Sequence, residues 1–233
     1  RAKVNCFRLQ EDNDADHDTP GIIRKTKRYL DLAYRYAVQF TRPTIWVICG
    51  LPASGKSTIA GELAKILKVV VLQSDVVRKE LFGLDAEKPQ IEAFEEGIYS
   101  KEASSHTYAK LLLLAQEEVK KGGSVILDAT YTSEHQRDGV LCLAKDMDAN
   151  IIFVECMAPY QTLKKRLIER EAAVAISDAR LQHLKQFRAQ FEPLAEIRDE
   201  LHIRVDTNMP LKQSIRQILA HDHFATSQQI GEL

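Results

Sequence analysis

The 233-residue sequence holds no Cys-x-x-Cys pair, and its four cysteines, Cys6, Cys49, Cys142 and Cys156, stand far apart. Three of them sit inside apolar runs, where free thiols are ordinarily buried. That pattern excludes a disulfide framework and points to a reduced, cytoplasmic protein. Long apolar runs are missing too. The longest lies near Leu111–Ala115, far short of the ~20 residues that span a bilayer, so no membrane association is expected. The opening Arg1-Ala2-Lys3 leads into mixed polar sequence, so no signal peptide is expected, and the absent initiator methionine suggests a trimmed or excised chain. Neither sign of charge dominates. Lys plus Arg number 32 and Asp plus Glu 33, a net charge of -1 that argues against a dedicated nucleic-acid binder.

What remains is ordinary globular composition, with 45% hydrophobic and 28% charged residues. A chain of this length buries roughly 70% of its unfolded surface and needs no covalent staples. One α/β domain with an appendage is expected, divided as a lead-in over 1–43 and a main domain over 44–233. Within the lead-in, the acidic stretch Glu11–Gly21 ends in Pro20-Gly21 and reads as a surface loop with a turn. Leu30, Ala33, Tyr34 and Ala37 then recur at helical spacing, and Pro43 closes the segment.

From Thr44 onward, short β-branched runs alternate with helical patterns. The strand candidates are Ile45–Cys49, Val69–Leu72, Ser124–Leu127, Ile151–Val154 and His202–Val205. Most are continuously apolar, as strands covered on both faces are. Helical periodicity falls on Ile59–Leu67 and on about 100–121, 133–148, 160–171, 178–198 and 210–220. Such alternation predicts right-handed crossovers, a parallel sheet with helices on both sides, and a ligand at the carboxyl ends of the strands.

Gly50-Leu51-Pro52-Ala53-Ser54-Gly55-Lys56-Ser57-Thr58 carries G-x-x-x-x-G-K-S directly after the first strand and at the start of a helix. Glycines at these positions let successive amides turn inward onto phosphate oxygens, while the helix N-terminus adds partial positive charge. Lys56 is expected to reach the β- and γ-phosphates and Ser57 to ligate Mg²⁺. The cofactor expectation is therefore ATP with Mg²⁺.

Further residues fall on the same rim. Asp128 ends Val125–Asp128 and can hold Mg²⁺ through water, or act only as a strand-end turn residue. No Glu follows it, which disfavours an ATP-hydrolysing motor, and no N-K-x-D occurs, which disfavours a GTPase. Asp75, in Ser74–Arg78, stands after the second strand, where it can take or orient the proton of an attacking hydroxyl or merely cap the next helix. Arg78, Arg137 and Thr130 are candidates to contact the acceptor, with a solvated face for Arg78 and a structural ion pair for Arg137 as alternatives. Arg166 and Arg170, four apart on one helix face, are candidates to fold over the γ-phosphate or to be solvated. Tyr99, His106, Tyr108 and Tyr131 are placed as packing residues that can also line an acceptor pocket.

Gly50–Thr58, Ser74–Lys79, Leu127–Thr130, and Arg166–Arg170 followed by Ser177-Asp178-Ala179 together resemble the AAA_33-type P-loop kinases. That group is similar to polynucleotide kinase, chloramphenicol phosphotransferase, gluconate kinase and zeta toxins. The resemblance covers roughly 44–220. It implies a three-layer α/β/α P-loop NTPase fold of the nucleotide-kinase type, with a five-stranded parallel sheet and an N-terminal helical extension. It further implies Asp75 as catalytic base and a mobile lid carrying Arg166 or Arg170, helped by Arg180. Arg1–Val4 and Tyr29–Ala33 also resemble the junction between an aminoglycoside-phosphotransferase-like domain and a C-terminal kinase domain. The expected activity is transfer of the γ-phosphoryl group of ATP to a hydroxyl of a small molecule. A non-catalytic ATP-sensing module, a nucleic-acid 5′-hydroxyl kinase and a sugar-nucleotide kinase are the alternatives.

Overall fold

The computed structural model describes residues 20–30, 42–85, 96–171 and 183–230. The first helix, α1, covers 20–30. Pro20 and Gly21, expected as a turn, open this helix instead; proline's missing N–H and fixed φ suit a first helical turn. Ala33, Tyr34 and Ala37 lie outside the described residues, as does Cys6.

Five strands follow: β1 Thr44–Cys49, β2 Val70–Gln73, β3 Val125–Asp128, β4 Asn150–Met157 and β5 His202–Asp206. They form one sheet in the order β2-β3-β1-β4-β5 with every pairing parallel. Each expected strand is present, with ends shifted by at most one residue except in β4, which runs three residues past Val154. The central β1 is buried at all six positions, which explains its continuous apolar run Ile45–Cys49. The edge strand β2 is half-exposed.

Helices cover both faces. Ile59, Ala60 and Leu63 of α2 (Lys56–Leu67) and Ile215 and Ile218 of α8 (Leu211–Ile230) pack on Trp46, Ile48, Ile126, Val154 and Ile203. On the other face, α3 (Ser74–Leu81), α4 (Lys101–Lys120) and α5 (Glu134–Asp146) contribute Val77, Leu111, Ala115, Val140 and Leu143. The Ser133–Gln136 capping box starts α5. Two further helices, α6 (Tyr160–Glu171) and α7 (Leu184–Gln190), stand over the carboxyl ends of the strands. Among the described residues no helix is long and apolar enough to cross a membrane.

The helix expected over 178–198 is shorter. Among the described residues it runs only from Leu184 to Gln190, and 191–198 cross the sheet face as irregular chain. Pro193 lacks a helical donor, and Arg137 takes up the carbonyls freed there. Its Nη1 donates to Tyr131 O at 3.0 Å and Glu192 O at 3.2 Å, its Nη2 to Pro193 O at 3.2 Å, and its Nε pairs with Glu196. Arg137 is 0% exposed. Its proposed contact with acceptor or phosphate is therefore corrected: the guanidinium is spent on a buried structural clamp.

Burial works to raise the Glu196 carboxyl, but the hydrogen bond and charge of Arg137 outweigh it and hold the group below the usual glutamate value. A depressed carboxylate stabilises the fold above its unfolded pKa and loses that contribution as pH falls through the folded value. Arg137→Met is expected to destabilise by about 3–5 kcal/mol, the range for breaking a buried ion pair. Urea unfolding at neutral and acid pH checks this, with the deficit shrinking on the acid side. Equal deficits at both pH values would contradict the assignment.

Candidate active site

Cys49 leads β1 straight into Gly50, and from there to Lys56 the chain makes a tight loop. Gly50 (φ 130°), Ala53 (φ 59°) and Gly55 (φ 91°) adopt left-handed backbone, so the loop reverses curvature three times within six residues. Gly50 is obligatory on two counts. Its φ disfavours any side chain, and a Cβ there would stand 2.4 Å from Cys156 O. The Gly50 amide donates to Thr130 O at 3.2 Å, which ties the loop to the chain beyond β3. Lys56 begins α2 and its Nζ crosses the loop to Leu51 O at 2.9 Å. Ser57 and Thr58 are exposed in the first turn of α2, whereas Pro52, Ala53 and Ser54 are buried. Among the described residues, the buried Ser54 hydroxyl has no hydrogen-bond partner.

The loop fits a triphosphate. It is a concave run of backbone at a helix N-terminus, with one ammonium group drawn across it. Ser57 and Asp128 supply hard oxygen donors of the kind Mg²⁺ takes alongside phosphate oxygens. Asp128 ends β3, paired with Ile48 on one side and Gln73 on the other, and is only 5% exposed. Among the described residues no cluster of three or more His, Cys, Asp or Glu forms a metal cage. Burial pushes the Cys156 thiol to about 12 despite the opposing charge of Lys56, and Cys49 is raised for the same reason. Both thiols beneath the loop are thus protonated and unreactive. Cys142, expected inside an apolar run, is exposed on α5.

Arg166 of α6 reaches the loop. Its Nη1 donates to Ala53 O at 3.2 Å and to Thr207 Oγ1 at 3.1 Å, and its Nη2 donates to Thr207 O at 2.8 Å. Thr207 in turn donates to Ser54 O at 2.6 Å. Thr207, one residue beyond β5, escaped the sequence reading; its only signal is a hydroxyl residue following a buried strand. Leu163, Leu167 and Leu184 of α6 and α7 bury against Ala53, with Leu51 and Tyr160 alongside. At roughly 1.5–3 kcal/mol per buried aliphatic side chain, this seam holds the helices on the loop. Arg170 lies in the last turn of α6, and Arg180 lies outside the described residues.

On the opposite side, Asp75 stands half-buried in the first turn of α3. The N-cap of that helix is Gln73, whose own side chain makes no capping bond; Ser74 and Asp75 are its first two helical residues. Gln73 pairs with Asp128, which places Asp75 and Thr130 two residues beyond the same rung of the sheet. Arg78 is 6% exposed, donates from Nη1 to Ile98 O at 2.8 Å and Ser104 Oγ at 3.3 Å, and lies 4.9 Å over the Tyr99 ring. The expectation of a solvated face for Arg78 is therefore corrected, while its contact with an acceptor is carried forward as a proposal. Arg78 pins α3 to the start of α4.

A parallel sheet in this order, with the phosphate loop after β1, a carboxylate ending β3 and another in the helix turn that follows β2, is the α/β P-loop kinase fold. Residues 45–194 match the AAA_33 family, described as an AAA domain, and the chain belongs to it. It is 27% identical over 217 residues to an uncharacterized protein of Mycobacterium tuberculosis, covering 93% of this chain and 41% of that protein. The chain thus spans about two-fifths of the length of that relative. It is also 30% identical over 129 residues to L-seryl-tRNA(Sec) kinase of Methanococcus maripaludis, covering 53% of this chain and 45% of that enzyme. Among solved structures, Chaetomium thermophilum Kti12 in complex with ADP-AlF3 is similar, with a TM-score of 0.58 at 17% identity, covering 77% of this chain and 98% of that one.

Proposed function

We propose that this domain transfers the γ-phosphoryl group of ATP to a hydroxyl of a small-molecule acceptor. The observation that carries the reading is the pairing of Gln73 with Asp128 and of Asp128 with Ile48, which puts Asp75, Thr130 and the phosphate loop all two residues past one rung of the sheet. The loop amides and Lys56 bind the polyphosphate. Ser57 and Asp128 would hold Mg²⁺, which when bound neutralises charge on the phosphate oxygens. Asp75 accepts the acceptor's hydroxyl proton, so that oxygen attacks phosphorus as ADP leaves. Arg166 supplies positive charge at the loop's edge, and Arg170 is proposed to share that role. The ADP-AlF3 complex of Kti12 and the kinase relatives support this reading.

A second reading, in which the hydroxyl belongs to a nucleic-acid-linked group, is favoured by the similarity to L-seryl-tRNA(Sec) kinase. The mycobacterial relative is longer than this chain; a further domain of the aminoglycoside-phosphotransferase type in the whole protein is a proposal that rests on the sequence resemblance of Arg1–Val4 and Tyr29–Ala33 alone. Free thiols at Cys49, Cys142 and Cys156 support a reducing compartment.

Titration calorimetry with Mg-ATP, followed by an ADP-release screen over hydroxylated metabolites, tests the proposal. Binding together with acceptor-stimulated ADP release is expected. Tight binding with no stimulation by any acceptor would instead identify a nucleotide sensor.

A further inference from the structure

Tyr108 projects from α4 toward the rim of β3. Its hydroxyl lies 3.1 Å from Thr130 Oγ1, and the Tyr131 amide donates to it at 3.2 Å. The two tyrosine rings meet edge-to-face at 5.2 Å. Thr130 is also the residue whose carbonyl receives the Gly50 amide. One hydroxyl therefore connects, through a single residue, to the first glycine of the phosphate loop.

The segment it holds is strained. Tyr131 has φ 48°, left-handed backbone in a bulky residue, of the kind that costs on the order of 1–3 kcal/mol unless its surroundings enforce it. Two contacts enforce it here: Tyr108 takes the Tyr131 amide, and Arg137 takes its carbonyl. Strain kept at the edge of a site, rather than relieved, marks a segment whose position matters to that site.

We propose that Tyr108 is a positioning residue for phosphoryl transfer, its hydroxyl tying Thr130 and the phosphate loop to the left-handed turn at Tyr131. The proposal rests on the kinase reading above. Tyr108 acts through Thr130, and the spacing it sets is the one between the loop and the carboxylate two residues past the same sheet rung. The charges that bear on it are consistent with this place. Burial pushes the phenol up, the hydrogen bonds with Thr130 and Tyr131 and the charge of Arg78 pull it down, and the Asp75 carboxylate pushes it up. The net shift is upward, so the phenol stays neutral and able to donate at physiological pH.

Tyr108→Phe keeps the ring and removes only the hydroxyl. With Mg-ATP as the probe, and ADP formation at saturating Mg-ATP as the rate, the expected result is an unchanged ATP Kd and KM with kcat about tenfold lower, the scale of one buried hydrogen bond. Thr130→Val should show the same loss, and the double variant no more than either alone, because the two hydroxyls act as one unit. Thr130→Ser, which keeps the hydroxyl, should restore most of the rate. Wild-type kcat in Tyr108→Phe overturns the proposal, as do losses that multiply in the double variant. A fall in kcat matched by weaker ATP binding and a lower Tm overturns it in favour of a purely structural role. A wild-type protein that binds ATP yet forms no ADP under any condition overturns the kinase reading itself, and the positioning role with it.

Discussion

Lys56→Ala protein is expected to keep its fold and lose nucleotide turnover by ~10²–10³-fold, the scale for removing one preorganised donor to a developing charge. The Nζ of Lys56 crosses the loop to 2.9 Å from Leu51 O, so its charge sits against the loop backbone. Nothing in the apolar packing of α2, which rests on Ile59, Ala60 and Leu63, depends on this side chain. The loss should therefore appear in binding and rate with little change in Tm. Calorimetry separates the contributions further: ATP affinity should fall more than ADP affinity, because the ammonium serves the terminal phosphates. Equal losses for the two nucleotides would place Lys56 elsewhere. Arginine is not expected to substitute, since its planar fork cannot reproduce a compact charge inside so tight a bend.

Asp75→Asn is expected to leave ATP affinity unchanged and to lower transfer by ~10²–10⁴-fold, the range for loss of a positioned general base. The amide has the same shape as the carboxylate and can keep its place in the first turn of α3. The separation of binding from rate is the informative part. Rapid-quench measurement at saturating Mg-ATP and acceptor checks it. Transfer at the wild-type rate would remove Asp75 from proton transfer and reduce it to a favourable charge at a helix N-terminus.

Legibility in the sequence followed burial geometry. The strands were readable because the interior of the sheet demands unbroken apolar runs, and Ile45–Cys49 and Ile151–Val154 supply them. The phosphate loop was readable because its backbone conformation requires glycine at two fixed positions, Gly50 and Gly55. The places of Arg78 and Arg137 were not. Arg78 and Arg137 follow strands on the same rim as Asp75, and spacing alone cannot tell an acceptor contact from a buried clamp. The clamp of Arg137 is made by residues 55–59 positions away, Glu192, Pro193 and Glu196, and such partners leave no local pattern. The same distance hid Thr207, whose contact with Ser54 spans 153 positions. Helical periodicity over about 178–198 extends too far, because Phe191, Leu194 and Ile197 fall at helical spacing. Those side chains are packed on the sheet face, but from irregular chain around Pro193.

The most direct test is ³¹P NMR of the protein incubated with Mg-ATP and pooled hydroxylated compounds. The account predicts a new phosphomonoester resonance growing in step with ADP, and its absence with Asp75→Asn protein. ADP accompanied only by inorganic phosphate, or an ATP spectrum unchanged in the presence of every acceptor, would contradict it.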